Sequence, residues 1–224
     1  MKKLIIISFM MILTCNIFAK NPIAVLLKVK GEIMVQTNEQ EIEGKDGTFL
    51  YNDYLVSSAE NSFSAIKFVD GGAIIRLFPN SEIAINASEK DGKLSKSNNL
   101  KKGSILSKIK EKYGDFEVKT PSAIASVKGT EFITKLQNNG STILFTIDGK
   151  VQFENKLDDE KIIVQKNEKA VSIGKGSIEL TSATIDDLGS DIADYYEESK
   201  ETDKLKIEFE NPKGETKEMD INLE

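Results

Sequence analysis

The stretch that most constrains the fold is a pair of short apolar runs, at residues 132–136 and 143–147, separated by Asn138, Asn139 and Gly140. In both runs apolar residues recur with a period near two, which is typical of strands with one buried face. Asn-Gly favours the positive φ angles of a tight hairpin turn. A second turn signal, Asp148-Gly149, leads into a third run at residues 151–153. The stretch therefore predicts consecutive β-strands, with a core that includes Phe132, Phe145 and Phe153.

The segment before this hairpin is rich in turn-forming and small residues. Pro121 restricts Thr120 to extended geometry. Gly129-Thr130 leads directly into the strand that begins near Glu131, and we expect Gly129 to hold a backbone geometry that other residues adopt only with strain. Because successive strand side chains alternate, Glu131 should face away from the core that holds Phe132. We expect Glu131 to cap backbone N–H groups or to pair with a lysine such as Lys128. Partner recognition is the alternative role, and Thr120 and Thr130 are interpreted as turn formers.

Residues 120–132 read TPSAIASVKGTEF, and residues 148–151 read DGKV. This pattern resembles the FecR domain family. The resemblance is specific, because an ordinary hairpin does not require a fixed Gly-Thr-Glu-Phe. Weaker similarity upstream and downstream extends the resemblance to about residues 54–173, although Asn167 stands where the family usually has glycine. The motif residues on which the resemblance depends are Thr120, Pro121, Gly129, Thr130, Glu131, Phe132 and Gly149.

The resemblance implies an all-β periplasmic module for protein–protein or envelope interaction. FecR-type proteins of iron-uptake signalling also have a cytoplasmic part that controls a sigma factor, joined through a membrane-spanning helix. After the N-terminus, this chain has no run of the roughly 20 apolar residues that a membrane helix requires. We therefore expect a stand-alone exported FecR-like protein, and sigma-factor control is not carried over.

The N-terminus is typical of a secretory signal. Lys2 and Lys3 precede an apolar segment at residues 4–13, and Ala19 is a suitable small residue at a cleavage site. We expect residues 1–19 to be removed on export, which places the protein in the periplasm or outside the cell. The alternative is a lipoprotein anchored through Cys15, but Thr14 is a poor residue before a lipidated cysteine.

The body of the chain, residues 20–181, is predicted to be a single β domain. Many short alternating runs separated by turn signals are typical of a sandwich, barrel or solenoid, here a compact sandwich or β-helix-like FecR domain. Residues 88–99 are polar and predict a mobile loop. Residues 100–113 have both helical and strand character, and Gly103 with the resemblance favours a strand at 103–109.

Residues 182–224 predict an appendage made of a helix and a β-hairpin. Thr184 can cap the helix, Asp186 and Asp187 lie in its favourable first turn, and apolar residues recur at helical spacing from Ile185 to Tyr195. Alternating runs at 205–210 and 218–223, separated by a turn at 211–214, predict the hairpin.

Composition disfavours most chemistry. The chain has no histidine and one cysteine, which argues against zinc and copper sites, and residues 88–92 lack the ligand spacing of a calcium loop. Serine catalysis would lack a histidine base, and Ser126 with Lys128 is too common a combination to indicate a Ser-Lys pair. The acidic runs at 158–160 and 186–187 are interpreted as a solvated turn and a helix start. We therefore expect no catalytic residues, no cofactor and no metal.

The formal net charge of −6, with Arg76 as the single arginine, disfavours nucleic-acid binding. The sequence thus predicts a non-enzymatic envelope module for protein–protein interaction or signalling, whose partner is another envelope protein. A cell-wall or glycan-binding structural protein is the alternative. The absence of tryptophan weighs against this alternative, because exposed aromatic rings commonly stack on sugars.

Overall fold

The structure is a computed structural model that describes residues 21–174, 176–201, 204–210 and 216–222, with side chains described to residue 200. The expected signal segment, Cys15 and the predicted turn at 211–214 lie outside these residues. Within the described chain the architecture is mostly β, which confirms the predicted fold class. None of the described helices is both long enough and apolar enough to span a membrane.

Eighteen of the described strands form one sheet that curls into two facing layers. The first layer contains, in spatial order, β4 (Phe49–Leu50), β1 (Ala24–Lys30), β6 (Phe63–Phe68), β7 (Ala73–Leu77), the second half of β10 (Lys93–Ile109), β13 (Thr130–Leu136), β14 (Thr142–Asp148), β17 (Glu168–Ser172) and β18 (Glu179–Ser182). The second layer contains β3 (Glu41–Glu43), β2 (Ile33–Gln36), β5 (Tyr54–Ser58), β8 (Glu82–Ile85), β9 (Ala87–Lys90), the first half of β10, β11 (Phe116–Lys119), β12 (Ala123–Val127), β15 (Lys150–Asn155) and β16 (Lys161–Gln165). Strand β10 joins the layers because it belongs to both.

All of these strand pairs are antiparallel except β10 with β11, which is parallel. The main core lies between the layers, where alternate residues of each strand point inward. Phe132 and Phe153 are fully buried there, and the ring of Phe116 contacts Phe132 edge-on with centroids 6.4 Å apart. Phe145 is buried on the opposite face of the first layer, so all three predicted core phenylalanines are confirmed as buried.

The prediction of a mobile loop at residues 88–99 is wrong. These residues form β9 and the start of β10, joined by a two-residue turn in which Asp91 and Gly92 both have positive φ, 53° and 71°. The inward positions of β10 include Lys96 and Asn98, which are buried although they are polar. Because these positions are not apolar, the alternation that marks a strand is concealed in the sequence. The strand expected at 103–109 is confirmed as the second half of β10.

The predicted helix and hairpin are both present after β18. The helical segment is interrupted at Gly189, which has φ 109° and separates a 3-10 turn (Ile185–Leu188) from helix α1 (Ser190–Glu201). At its start, the carboxylate of Asp187 accepts hydrogen bonds from the backbone N–H and the hydroxyl of Thr184, at 2.7 and 3.0 Å. These bonds hold the pKa of Asp187 below its usual range.

Helix α1 covers the outer face of the first layer. Leu188 and Ile192 are buried in a second apolar cluster with sheet residues that include Phe63, Phe78 and Phe145. Lys30 forms an ion pair with Glu198 on the rim of this contact. The apolar stripe predicted for the helix is therefore confirmed, and its partner is the sheet. The hairpin strands β19 (Lys204–Glu210) and β20 (Thr216–Asn222) pair with each other and with no other described strand.

Candidate functional site

The seven motif residues lie in three separate places in the structure. Thr120 and Pro121 form the turn between β11 and β12, and Gly129, Thr130 and Gly149 meet at the opposite end of β12. Glu131 and Phe132 follow on β13, with side chains on opposite faces. The motif is thus not one compact constellation of side chains.

The first place is a buried cluster of hydroxyl groups around Thr142, the first residue of β14. The Oγ1 of Thr142 lies 2.7 Å from Thr120 Oγ1 and 2.7 Å from Ser122 Oγ. Thr120 also closes its own turn, because its Oγ1 accepts the backbone N–H of Ala123 at 2.9 Å. Thr120 is therefore a turn former, as predicted, and it also joins the two layers. The sequence contained no signal for Thr142, which is fully buried and directly follows the turn residues 138–141.

The second place is a double corner at which the chain changes layer twice. Gly129 lies between β12 and β13, and Gly149 lies between β14 and β15. The two corners touch, because a Cβ on Gly149 would lie 2.9 Å from the carbonyl oxygen of Gly129. The Oγ1 of Thr130 donates to the carbonyl oxygen of Lys150 at 2.9 Å and so joins them. Thr130 is therefore a link between the two corners, whereas the sequence predicted only a turn former.

The expectation that Gly129 has a special backbone geometry is not met. Gly149 has φ 83°, in the region that favours glycine, but Gly129 is absent from the described residues with positive φ. The restriction at Gly129 is one of space, since a Cβ there would lie 2.3 Å from Cγ of Glu111. That neighbour is part of a flexible side chain, whereas the atom nearest to a Cβ on Gly149 would be a backbone oxygen, so the restriction at Gly149 is more severe.

Glu131 lies on the outer face of the first layer, close to helix α1. Across the strand pair it is opposite Lys108, and Lys128 lies beyond the corner on an exposed surface. Burial raises the pKa of Tyr196 on the helix, and the charge of Glu131 raises this pKa further. The motif glutamate is thus part of the interface between the sheet and the C-terminal helix, which the sequence did not predict.

A groove of about 490 Å³ opens beside the double corner. Its walls include the motif residues Gly129 and Thr130, together with Phe116, Lys150 and Ile163. Sequence reasoning missed the last three because they come from β11, β15 and β16, which only the fold brings together. We call this cavity the motif groove.

The acidic side chains of the described residues do not suggest a metal site. No group of three or more potential metal-ligating side chains occurs among them. The acidic run at 158–160 lies in the turn after β15, where Asp158 accepts the backbone N–H of Gly176 and Glu160 accepts that of Ile178, at 3.2 and 2.8 Å. These carboxylates tie two loops together, which agrees with the interpretation of the run as a structural turn.

The curled sheet, its double corner and its covering helix define an all-β domain built around a sequence motif. Residues 54–152 match the sequence model of the family described as "FecR protein", which confirms the resemblance drawn from the sequence. No curated protein matches the chain.

Two crystal structures of "a putative anti-sigma factor" from Parabacteroides distasonis ATCC 8503 share the fold. Each is 16 % identical to this chain with a TM-score of 0.51, and the match covers 60 % of this chain and 62 % of the other. The similarity therefore spans less than two thirds of those structures, and at this level of identity it concerns the fold alone.

Proposed function

We propose that this protein is an exported, non-enzymatic module that binds another protein of the cell envelope and acts in signalling. The FecR-family domain and the fold shared with a structure described as an anti-sigma factor support a regulatory role. The observation on which the proposal depends is a series of exposed apolar side chains on the last strands and loops of the β domain, residues 157–180.

This segment, which we call the edge surface, carries Leu157, Ile163, Ile173 and Leu180, whose exposed fractions are 50, 49, 50 and 44 %. The loops that carry Leu157 and Ile173 are joined, because the amide of Asn155 donates to the carbonyl oxygens of Gly174 and Gly176 at 3.0 and 2.9 Å. Exposed apolar groups that lie together are typical of protein-binding surfaces, whereas isolated ones are common on any protein.

Strand β18, which carries Leu180, pairs on one side only, with β17, among the strands described. All four of its residues are exposed. A strand with a free edge can accept a strand from a partner through backbone hydrogen bonds. The edge surface therefore offers both apolar contacts and a free strand edge.

The binding test compares two double variants in a pull-down from envelope fractions with site-specific cross-linking. Ile163→Asp with Ile173→Asp changes the edge surface, and Phe49→Asp with Val69→Asp changes two residues of similar exposure elsewhere, at 56 and 54 %. We expect the first variant to lose a cross-linked protein that the second retains. If both variants retain it, the edge surface is not the binding surface.

The same fractions test the alternative of a glycan-binding structural protein. Co-sedimentation with purified peptidoglycan, unaffected by the edge variant, would favour that function over protein binding. Phe49 and Tyr113 are the large aromatic side chains exposed among the described residues. Phe49 lies on β4 and Tyr113 in the loop after β10, and no contact in the described fold joins them into a stacking platform for a sugar.

Export is tested by the intact mass of the secreted protein. We expect the mature chain to begin at Lys20, because Ala19 precedes it at a suitable cleavage site. A diacylated species that begins at Cys15 would show a lipoprotein and contradict the proposed cleavage.

A further inference from the structure

We propose that a cleft between the β9–β10 hairpin and the loop after β10 binds phosphate groups. The cleft has a volume of about 420 Å³, and Lys90, Lys93, Lys112 and Lys128 line it. Asp91 and Asp115 are the acidic residues of its lining. We call it the lysine cleft, and it is distinct from the edge surface.

The positive charge of the lysine cleft is only partly neutralised. Lys90 lies 3.7 Å from the carboxylate of Asp115. Within the described chain Lys93, Lys112 and Lys128 form no ion pair, although most of the ion pairs elsewhere involve exposed lysines of the same kind. The cleft thus gathers four ammonium groups against two carboxylates, in a chain whose net charge is negative.

Two of these lysines are placed unfavourably for stability. Lys90 and Lys93 are directly opposite each other across the hairpin, where like charges repel. The turn between them, Asp91-Gly92, places no demand on the residues that flank it. A bound anion would remove this repulsion, and an unfavourable pair of this kind is more readily explained by binding than by folding.

A third lysine of the cleft, Lys112, has a backbone conformation that is unfavourable for stability. Its φ is 76°, in a region that residues other than glycine rarely adopt. The loop around it is firmly held. The buried ammonium of Lys96 donates to the carbonyl oxygens of Tyr113 and Leu94, at 2.9 and 2.8 Å, and to the carboxylate of Asp70 at 2.5 Å. Strain that the surrounding structure maintains in this way is commonly found at binding sites.

The same loop is packed closely on β10. A Cβ on Gly114 would lie 2.6 Å from the carbonyl oxygen of Leu94, and the N–H of Lys110 donates to the carbonyl oxygen of Gly72 at 2.9 Å. The backbone that carries Lys112 is therefore fixed before any ligand binds, which lowers the entropy that binding would cost.

The ligand that fits this arrangement is a multiply charged phosphate compound. Lysine binds phosphate as a compact point charge, and four such charges in one cleft suit a ligand with several negative charges, whereas arginine holds carboxylate or phosphate through its planar fork. Arg76, the single arginine of the chain, is buried in another strand. The phosphate groups can belong to a free polyphosphate or to lipid headgroups at a membrane surface, which present the same chemistry.

The test measures binding of inorganic tripolyphosphate to the full chain by calorimetry, at low and high NaCl. We expect Lys93→Gln with Lys112→Gln and Lys128→Gln to weaken binding at least about tenfold, and salt to weaken it in the wild type. The matched control, Lys28→Gln with Lys101→Gln and Lys102→Gln, removes the same charge at exposed positions and should bind normally. Equal affinity of the two triple variants, or no salt-sensitive binding by the wild type, would overturn the proposal.

Two further arms complete the experiment. Lys112→Gly should raise the thermal midpoint, since glycine accepts the positive φ, and at the same time weaken tripolyphosphate binding. A fall in both properties would show that Lys112 is structural and would count against the cleft. Phosphatidylcholine vesicles with and without phosphatidic acid distinguish the sources. Binding that depends on phosphatidic acid and on the three lysines identifies lipid headgroups, and binding of tripolyphosphate alone identifies a soluble ligand.

Discussion

Gly149 and Gly129 show how the motif acts on the backbone at single residues. Both occupy corners between layers, but only Gly149 has a positive φ, and the atom nearest to its missing Cβ is a backbone oxygen. The sequence identified both glycines and assigned the special geometry to the wrong one. The local sequence shows that each glycine precedes a strand. Which of the two glycines is restricted by backbone atoms depends on contacts between segments that are distant in the sequence.

We expect Gly149→Ala to destabilise the protein by about 1 kcal/mol or more, through the strained φ and the contact with Gly129. Gly140→Ala is the matched control, because Gly140 has nearly the same φ, 84°, but open space around it. Urea unfolding should give a larger loss for Gly149→Ala than for the control. Equal losses would show that the contact between the corners adds nothing.

Tyr196 gives a prediction about pH at the interface of helix and sheet. Burial, and then Glu131, raise its pKa above the ordinary value of 10.0. A raised pKa means that the stability contributed by the neutral hydroxyl is present below pH 10.0 and is lost as the pH rises through the folded pKa. Tyr196→Phe should therefore lose less stability than the wild type above pH 10.0, when thermal midpoints are compared across this range. Parallel losses in both proteins would contradict the prediction.

Among the elements, the strands with apolar alternation and the C-terminal helix could be predicted, because their periodicity reports directly which face is buried. The first half of strand β10 could not, since Lys96 and Asn98 occupy its buried positions and are accommodated by partners far away in sequence, such as Asp70 and the backbone of Asn86. The motif groove and the lysine cleft were missed for the same reason. Each is formed by loops and strands that only the two-layer fold brings together.

Helix α1 gives a test at this scale. Ile192 is 2 % exposed in the second apolar cluster, so Ile192→Asp should bury an unpaired charge and separate the helix from the sheet. Ser190→Asp places the same charge on the exposed side of the helix and is the control. Hydrogen exchange should increase in α1 for the first variant only. Unchanged exchange in Ile192→Asp would mean that the contact does not hold the helix.

At the scale of the whole molecule, one apolar cluster holds the two layers of the sheet together and the other holds the C-terminal helical segment against the sheet. Within the described chain the main core ends at Ile178 and contains no residue of the helix, whereas the second cluster requires Leu188 and Ile192. The proposed boundary between a β domain at 20–181 and an appendage at 182–224 follows this division. It implies that the sheet can fold without the appendage, and that one apolar face of the sheet is then uncovered.

A chain that ends at Thr181 should therefore retain a cooperative unfolding transition and β-type circular dichroism. Its denaturant midpoint should fall, and it should bind the dye ANS, because Phe63, Phe78 and Phe145 lose their cover. Restoring residues 182–201 without the hairpin should reverse both changes, since the buried contacts come from the helical segment. A chain ending at Thr181 that shows no cooperative transition would place the helix in the folding unit, and the domain would then extend to residue 201.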